Sequence, residues 1–189
     1  MIEKRENWRD NQENLDISKL RFLDETSVNC GMTRVYGRAP TNERVNDYVP
    51  DVRFERTSIL STLGLGGVFA PIMFKGTLNG DFFEWYVEEV LVPTLSPGEI
   101  LILDNCSAHK VTGVLDSIYE KGASVLFLPE YSPDLNPIEL MWSKVKAILR
   151  KLKPRTAEEL VKAVGDALNA VTYDDIAAWF EFHGYLVSV

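Results

Sequence analysis

The chain has 189 residues, 46% of them apolar and 25% charged, and a net charge of −8 at pH 7. That length suffices for one domain with a substantial core, and the composition is that of an ordinary globular protein. The composition excludes a membrane-spanning chain, since no apolar run approaches the roughly 18 residues of a span. The charge argues against a protein that coats nucleic acid by bulk attraction.

The first half of the chain predicts strands followed by one helix. A polar lead-in, residues 1–19, is not a secretory signal and indicates a cytoplasmic protein, nucleoid-associated if it acts on DNA. The apolar run Leu20–Leu23 predicts a buried strand that ends at Asp24, and residues 32–50 predict a strand running into an exposed loop. Strands are predicted near Thr57–Leu63 and Val68–Phe74, and Asn79 caps a predicted helix that reaches about Leu91.

The second half alternates strands with helices. An apolar strand ends at Asp104, a helix runs from about Lys110 to Lys121, and another buried strand follows at residues 124–128. After a proline-punctuated turn, a helix begins at Pro137 and ends near Leu152, and two more helices complete the chain. Three adjacent strands suggest an antiparallel meander, and the later alternation suggests parallel strands added to the same sheet. The fold class is therefore α/β: a mixed five-stranded sheet flanked by helices, within one domain over residues 20–153. Residues 154–189 form a C-terminal helical extension packed on it.

The charges are unevenly distributed along the chain. Between Leu140 and Arg155 there are six basic residues and no acidic one, so this stretch carries +6 and the remainder −14. A local basic ridge on an acidic body is compatible with contact to DNA at one place only.

The ligands available for a metal are mainly carboxylates. The only cysteines are Cys30 and Cys106 and the only histidines His109 and His183, and their spacing fits no common zinc motif. Carboxylate oxygens suit hard ions such as Mg²⁺ or Mn²⁺.

Three carboxylates stand at positions that can converge. Asp24 and Asp104 each follow an apolar strand, and the carboxyl ends of strands open onto clefts in α/β sheets. Glu139 lies in the first turn of the predicted helix after the SPDLNP turn. Together they could hold two divalent ions, an arrangement that stabilises the attacking and leaving oxygens of an in-line phosphoryl displacement.

Each of these acids also has a structural interpretation. Asp104–Asn105 is ordinary turn chemistry, and Glu139 could reach back to the Asn136 amide in a capping box. Glu25 competes with Asp24, because adjacent strand residues point to opposite faces and only one reaches a given site. Periodicity does not decide between them.

Three sequence blocks resemble a known family. FLDET at residues 22–26, ILDNCSAHK at 102–110 and LPEYSPDLNPIELMW at 128–142 are similar to the catalytic domain of bacterial insertion-sequence transposases of the mariner superfamily. The 34 residues between Asp104 and Glu139 match the insertion-sequence branch, and the similarity extends from about Arg21 to Tyr185. These are D-D-E enzymes on a ribonuclease H-like fold.

The resemblance implies a function and a site. It implies DNA cleavage and strand transfer at transposon ends, with Asp24, Asp104 and Glu139 holding two Mg²⁺ or Mn²⁺ ions, and it favours Asp24 over Glu25. Asn105 and His109 match the family's D-N-x-x-x-H pattern, in which His109 could contact phosphate or orient the nucleophilic water. A histidine at a helix start that bonds locally is an equal alternative.

Other residues carry weaker expectations. Trp142 could support Glu139 or touch DNA, although core packing is the simpler interpretation. Six basic side chains could contact the DNA backbone, with a solvated helix face as the alternative for those on the predicted helix. They are Arg34, Arg38, Lys144, Lys146, Arg150 and Lys151.

One departure from the family concerns DNA recognition. Only 23 residues precede Asp24, where the family places helix-turn-helix modules, so a separate N-terminal region or polypeptide is implied. The resemblance also implies a homodimer in the active complex. Two alternatives remain: a ribonuclease H-like nuclease or integrase without transposition, and a truncated partner that inhibits full-length transposase.

Overall fold

A computed structural model describes residues 2–105 and 113–186. Six α-helices and five β-strands occur in these ranges. The helices are α1 Ile2–Gln12, α2 Gly80–Tyr86, α3 Val114–Glu120, α4 Ile138–Leu152, α5 Ala157–Asn169 and α6 Tyr173–Phe182. The strands are β1 Leu20–Val28, β2 Thr57–Gly64, β3 Gly67–Lys75, β4 Ile100–Leu103 and β5 Ser124–Phe127.

The five strands form one mixed sheet in the order β3-β2-β1-β4-β5. β1, β2 and β3 pair antiparallel, and β4 and β5 are added in parallel. The predicted meander followed by a parallel extension is therefore confirmed. The connections from β3 to β4 and from β4 to β5 run through α2 and α3, and both helices pack on the same face of the sheet.

Each face of the sheet is covered by its own hydrophobic core. On one face Phe22, Ile59 and Ile102 pack with α4, α5 and α6. On the other, Leu23, Leu60 and Leu101 pack with α2 and α3. Phe22 and Leu23 are both fully buried, as expected of a central strand with helices on either side.

β1 is longer than its apolar run predicts. It continues through Asp24 and Glu25 to Val28, because these polar residues pair with β2 from Ser61 to Thr57. The prediction that the strand ends at Asp24 is therefore wrong: Asp24 lies inside it. The strand predicted within residues 32–50 is also wrong, since that segment is an exposed loop without strand pairing.

The lead-in and the helix predicted after Asn79 differ in detail from expectation. Residues 2–12 form α1, which the polar sequence did not indicate. Asn79 does cap α2, its side chain accepting the Phe82 N–H at 2.8 Å, but from Val87 to Leu91 the helix widens into a π-helical turn. Within residues 2–105 and 113–186, no helix is both long and apolar enough to cross a bilayer.

Candidate active site

The register of β1 against β4 brings two of the three acids together. Leu23 lies beside Leu103 in this parallel pair, so Asp24 and Asp104 are at the next matched position. Matched residues on parallel neighbours project to the same face of the sheet. β4 ends at Leu103 while β1 continues, which leaves Asp104 at the open carboxyl edge.

Strand alternation separates Asp24 from Glu25. Asp24 shares the face of Phe22, towards α4, whereas Glu25 shares the face of Leu23. Glu25 accepts a 2.6 Å hydrogen bond from Ser58 Oγ and pairs with Arg56 at 3.3 Å. The geometry therefore brings Asp24, and not Glu25, towards the other two acids.

Glu139 is presented by the first turn of α4. This helix packs on β1 through a buried stripe that includes Trp142, Val145 and Leu149. No side chain caps its N-terminus, so the capping box considered for Asn136 and Glu139 is absent and the Glu139 carboxylate is exposed. Negative charge in the first turn also interacts favourably with the helix dipole.

Asp24, Asp104 and Glu139 line one open cavity of about 500 Å³. Asn105 also lines it, and residues 128–133 with Asn136 form its wall. In the described part of the chain, no three acidic, histidine or cysteine side chains are clustered closely enough to form a ready metal cage. The three carboxylates therefore surround a space rather than a preformed ion site.

The carboxylates interact electrostatically across this space. Burial, then the negative charge of Glu139 and, less strongly, that of Asp104, raise the pKa of Asp24 from 3.8 to about 8. The Glu25 N–H, which donates to Asp24 Oδ1 at 2.8 Å, opposes the rise. A cation in the cavity would lower the pKa of Asp24, because it would stabilise the ionised form of all three acids.

Two polar atoms near the acids are buried without a hydrogen-bond partner. They are Asn136 Oδ1 and Trp142 Nε1, two of only three such side-chain atoms in the described residues. Trp142 is 2% exposed and belongs to the core, as the simpler interpretation predicted. Its indole N–H also lies near enough to Asp24 to oppose the rise of that carboxyl's pKa, although it makes no hydrogen bond of normal geometry. Buried polar groups left unpaired are costly and point to a missing ligand or water.

The predicted DNA-contact residues do not line the cavity. Arg34 and Arg38 are exposed in the loop after β1, Lys151 is exposed on α4, and Lys146 and Arg150 are half-buried there. Lys144 is paired with Asp175 of α6, which makes it part of the packing between these helices. Two further members of the basic stretch are engaged within the fold. Lys153 pairs with Asp47 at 2.5 Å, and Arg155 donates to the carbonyls of Cys30 and Met32.

Some site residues fall outside what the sequence predicted or the structure describes. His109 lies outside the described residues. Asn136 was considered only as a helix cap, yet it supplies a buried acceptor to the cavity. Tyr131, at the cavity rim, has a φ of 54° and is 85% exposed. It lies within the family-like block at residues 128–142, but its backbone conformation is not predictable from the sequence, because a left-handed conformation is typical of glycine or asparagine.

Comparison with known proteins identifies the fold. The Mos1 transposase paired-end complex with the left transposon end matches at a TM-score of 0.72 and 17% identity over 97% of this chain and 58% of that one. The mariner Mos1 paired-end complex with Mg gives 0.70 and 18% over 97% and 57%. The catalytic domain of Mos1 mariner transposase gives 0.68 and 16% over 97% and 85%. The chain thus spans under three fifths of the Mos1 chains in the complexes, and no curated protein matches it by sequence.

These likenesses confirm the predicted ribonuclease H-like fold. A sequence model described as DDE superfamily endonuclease matches residues 19–161, which contain all three acids. The predicted resemblance to D-D-E enzymes is thereby confirmed, whereas a bacterial origin stays a prediction. The chain belongs to the DDE superfamily endonucleases.

Proposed function

We propose that this chain is the catalytic domain of a transposase that cleaves DNA at transposon ends and joins the cut strand to a target. The observation that carries the proposal is the convergence of Asp24, Asp104 and Glu139 on one open cavity. Two acids come from neighbouring parallel strands and the third from a helix packed across them, so three separate parts of the sequence supply one site. The endonuclease family and the Mos1-like fold support the same chemistry.

The donor set fits two Mg²⁺ or Mn²⁺ ions held by Asp24, Asp104 and Glu139. The site has carboxylates and the Asn136 carbonyl, which are oxygen ligands of the kind that these hard cations prefer. The raised pKa of Asp24 supports the same assignment. The neighbouring negative charges make ionisation of Asp24 unfavourable, and a bound cation would stabilise the ionised carboxylates. When bound, such a pair of ions activates a water or a DNA 3′-hydroxyl and stabilises the leaving oxygen.

Residues around the acids have supporting roles in this proposal. The Trp142 N–H lies beside Asp24 and limits how that carboxylate can turn. Asn136 Oδ1 accepts a hydrogen bond from a water or from the substrate in the cavity. Asn105 lines the cavity next to Asp104, and His109 contacts phosphate or orients the nucleophilic water.

The chain carries a net charge of −8, so its binding of DNA depends on local basic groups. Lys146, Arg150 and Lys151 on α4, with Arg34 and Arg38 in the loop, remain the proposed phosphate contacts. Lys144 is a weaker candidate because it already pairs with Asp175. Action as a homodimer and recognition of the ends by a separate helix-turn-helix region stay predictions.

The test is an assay with end-labelled transposon-end DNA, a target plasmid and Mg²⁺. A transposase yields both a cut strand and a strand-transfer product joined to the target. A nuclease of the same fold yields the cut strand alone, and that result would overturn the proposal of transposition while leaving endonuclease activity intact. Absence of both products, with the chain folded and metal present, would overturn the catalytic proposal.

Metal binding should depend on pH through Asp24. Because the pKa of Asp24 is about 8 in the folded protein and 3.8 in the unfolded chain, the metal-free protein holds an extra proton between these two pH values. An ion must displace that proton, so its affinity should rise by up to about tenfold per pH unit and level off above about pH 8. Calorimetry of Mn²⁺ binding between pH 6 and 9 measures this. A flat profile would contradict the coupling, and Asp24→Asn should bind weakly without the pH dependence.

A further inference from the structure

The wall of the cavity contains a turn in an unusual backbone conformation. Tyr131 has a φ of 54°, a left-handed value that is unfavourable for a residue with a Cβ, and the residue is 85% exposed in the wall of the cavity that the acids line. Two features of this residue are unfavourable for folding: the exposed aromatic side chain and the left-handed backbone. Such outliers persist only where the surroundings impose them, and they concentrate at functional sites.

Arg5 of α1 holds this turn through three hydrogen bonds. Its Nη1 donates to the Tyr131 carbonyl at 3.2 Å and to Ser132 Oγ at 2.8 Å, and its Nη2 donates to Asp134 Oδ2 at 2.6 Å. One planar guanidinium therefore contacts Tyr131, Ser132 and Asp134 at once, with a forked donor geometry that lysine lacks. The contacts span 126 to 129 residues of sequence and come from a helix that precedes the family match at residue 19.

The C-terminal segment around Tyr185 contacts both α1 and the turn. Gln12 donates to the His183 carbonyl at 2.6 Å, and Trp8 donates to Tyr185 Oη at 3.3 Å. Tyr185 Oη in turn donates to the Leu135 carbonyl at 2.9 Å, at the end of the same turn. Tyr185 is fully buried, so this link is fixed within the core. The turn is thus held from two sides while the Tyr131 ring stays free.

We propose that Tyr131 is a stacking platform for an unpaired nucleobase of the DNA at the acid cavity, and that Arg5 is its positioning residue. An exposed phenol ring at the rim of a phosphodiester-cleaving cavity can stack on any base, since every base has an apolar face. The inference rests on the proposed function, because it requires that a DNA strand enters this cavity.

Binding rather than cleavage tests this inference. The probe is a fluorescein-labelled duplex with a short single-stranded overhang, titrated with the full chain at low salt without Mg²⁺, and read by anisotropy. Tyr131→Phe should bind like the wild type. Tyr131→Gly should bind about 5- to 150-fold more weakly, the range of one lost base–aromatic stack. Yet Tyr131→Gly should melt at the same or a higher temperature, because glycine tolerates the left-handed backbone.

The variants of α1 separate positioning from stability. Arg5→Ala should weaken binding as Tyr131→Gly does, and the double variant should be no weaker than either, since Arg5 acts through Tyr131. Arg9→Ala is the matched control: Arg9 lies one turn further along α1 and bonds Asp134 at 3.1 Å, but not the Tyr131 carbonyl. It should bind DNA as the wild type does.

An abasic scan locates the base. Removing one base of the overhang at a time should reveal one position at which the wild type loses as much affinity as Tyr131→Gly, and that variant should be insensitive there. Additive losses in the double variant, weakened binding by Tyr131→Phe, or wild-type affinity of Tyr131→Gly would each overturn the inference. Failure of the proposed function would be seen in a different experiment, in which the Asp104→Asn variant still cleaves DNA.

Discussion

Asp104→Asn should abolish metal-dependent cleavage and joining of DNA while the chain stays folded. The carboxamide has the size of the carboxylate but lacks the charge that a divalent ion requires, and no other carboxylate projects from the end of β4 at this point. The loss should be at least the roughly 100- to 1000-fold caused by removing one electrostatic group from an active site. Rates on end-labelled DNA measure it, and circular dichroism and the melting temperature report the fold.

The control for this variant lies in the same cavity. Glu130 lines it and is exposed, but it lies on the wall formed by residues 128–133 and not among the three acids. Glu130→Gln should therefore cleave DNA at a rate within a few-fold of the wild type. If Asp104→Asn keeps wild-type activity, or if both variants lose it equally, the assignment of Asp104 fails.

Phe180→Ala should cost about 3–5 kcal/mol of unfolding free energy, the usual cost of removing a buried aromatic side chain. Phe180 is fully buried and makes edge-to-face contacts with Phe22 at 5.4 Å and Tyr185 at 5.9 Å between ring centroids. Since Phe22 lies two residues before Asp24 on β1, α6 supports the strand that carries the site. Urea unfolding of the variant and the wild type measures the difference.

Phe182 provides a matched control on the same helix. It lies two residues further along α6 and is 77% exposed, so Phe182→Ala should change the unfolding free energy by less than about 0.5 kcal/mol. Equal urea-unfolding midpoints for Phe180→Ala and Phe182→Ala would contradict the role of α6 in the core beneath β1.

The elements that position the acids were predictable because burial dictates their sequences. The run ending at Leu103 is apolar at every position, since β4 lies between two other strands and beneath helices on both faces. α4 shows the helical spacing of Trp142, Val145 and Leu149 that packing on β1 requires. The antiparallel meander of the first three strands and the parallel addition of the last two followed from the short and long connections between them.

The parts that escaped prediction depend on contacts between distant residues. β1 continues through Asp24 and Glu25 only because β2 pairs with it, which no local pattern announces. α1 has a polar sequence without an apolar stripe, and Arg5, Trp8 and Gln12 attach it to segments more than 120 residues away. Likewise, no local pattern indicates that Lys144 pairs with Asp175 of α6, because the two residues are 31 positions apart.

The resemblance favoured Asp24 over Glu25, and the register supplies the physical reason. Both acids stand in one strand, and spacing alone left them equivalent. Alternation with Phe22 and Leu23 assigns Asp24 to the face of α4, and the register with β4 places it beside Asp104.

The most direct measurement therefore compares these two neighbours in Mg²⁺-dependent cleavage of labelled transposon-end DNA. Asp24→Asn removes a carboxylate from the cavity, and Glu25→Gln removes one from the opposite face of the same strand. Asp24→Asn should leave no detectable product, while Glu25→Gln should cleave at a rate within a few-fold of the wild type. Activity in Asp24→Asn, or its loss in Glu25→Gln alone, would contradict a three-carboxylate site built from Asp24, Asp104 and Glu139.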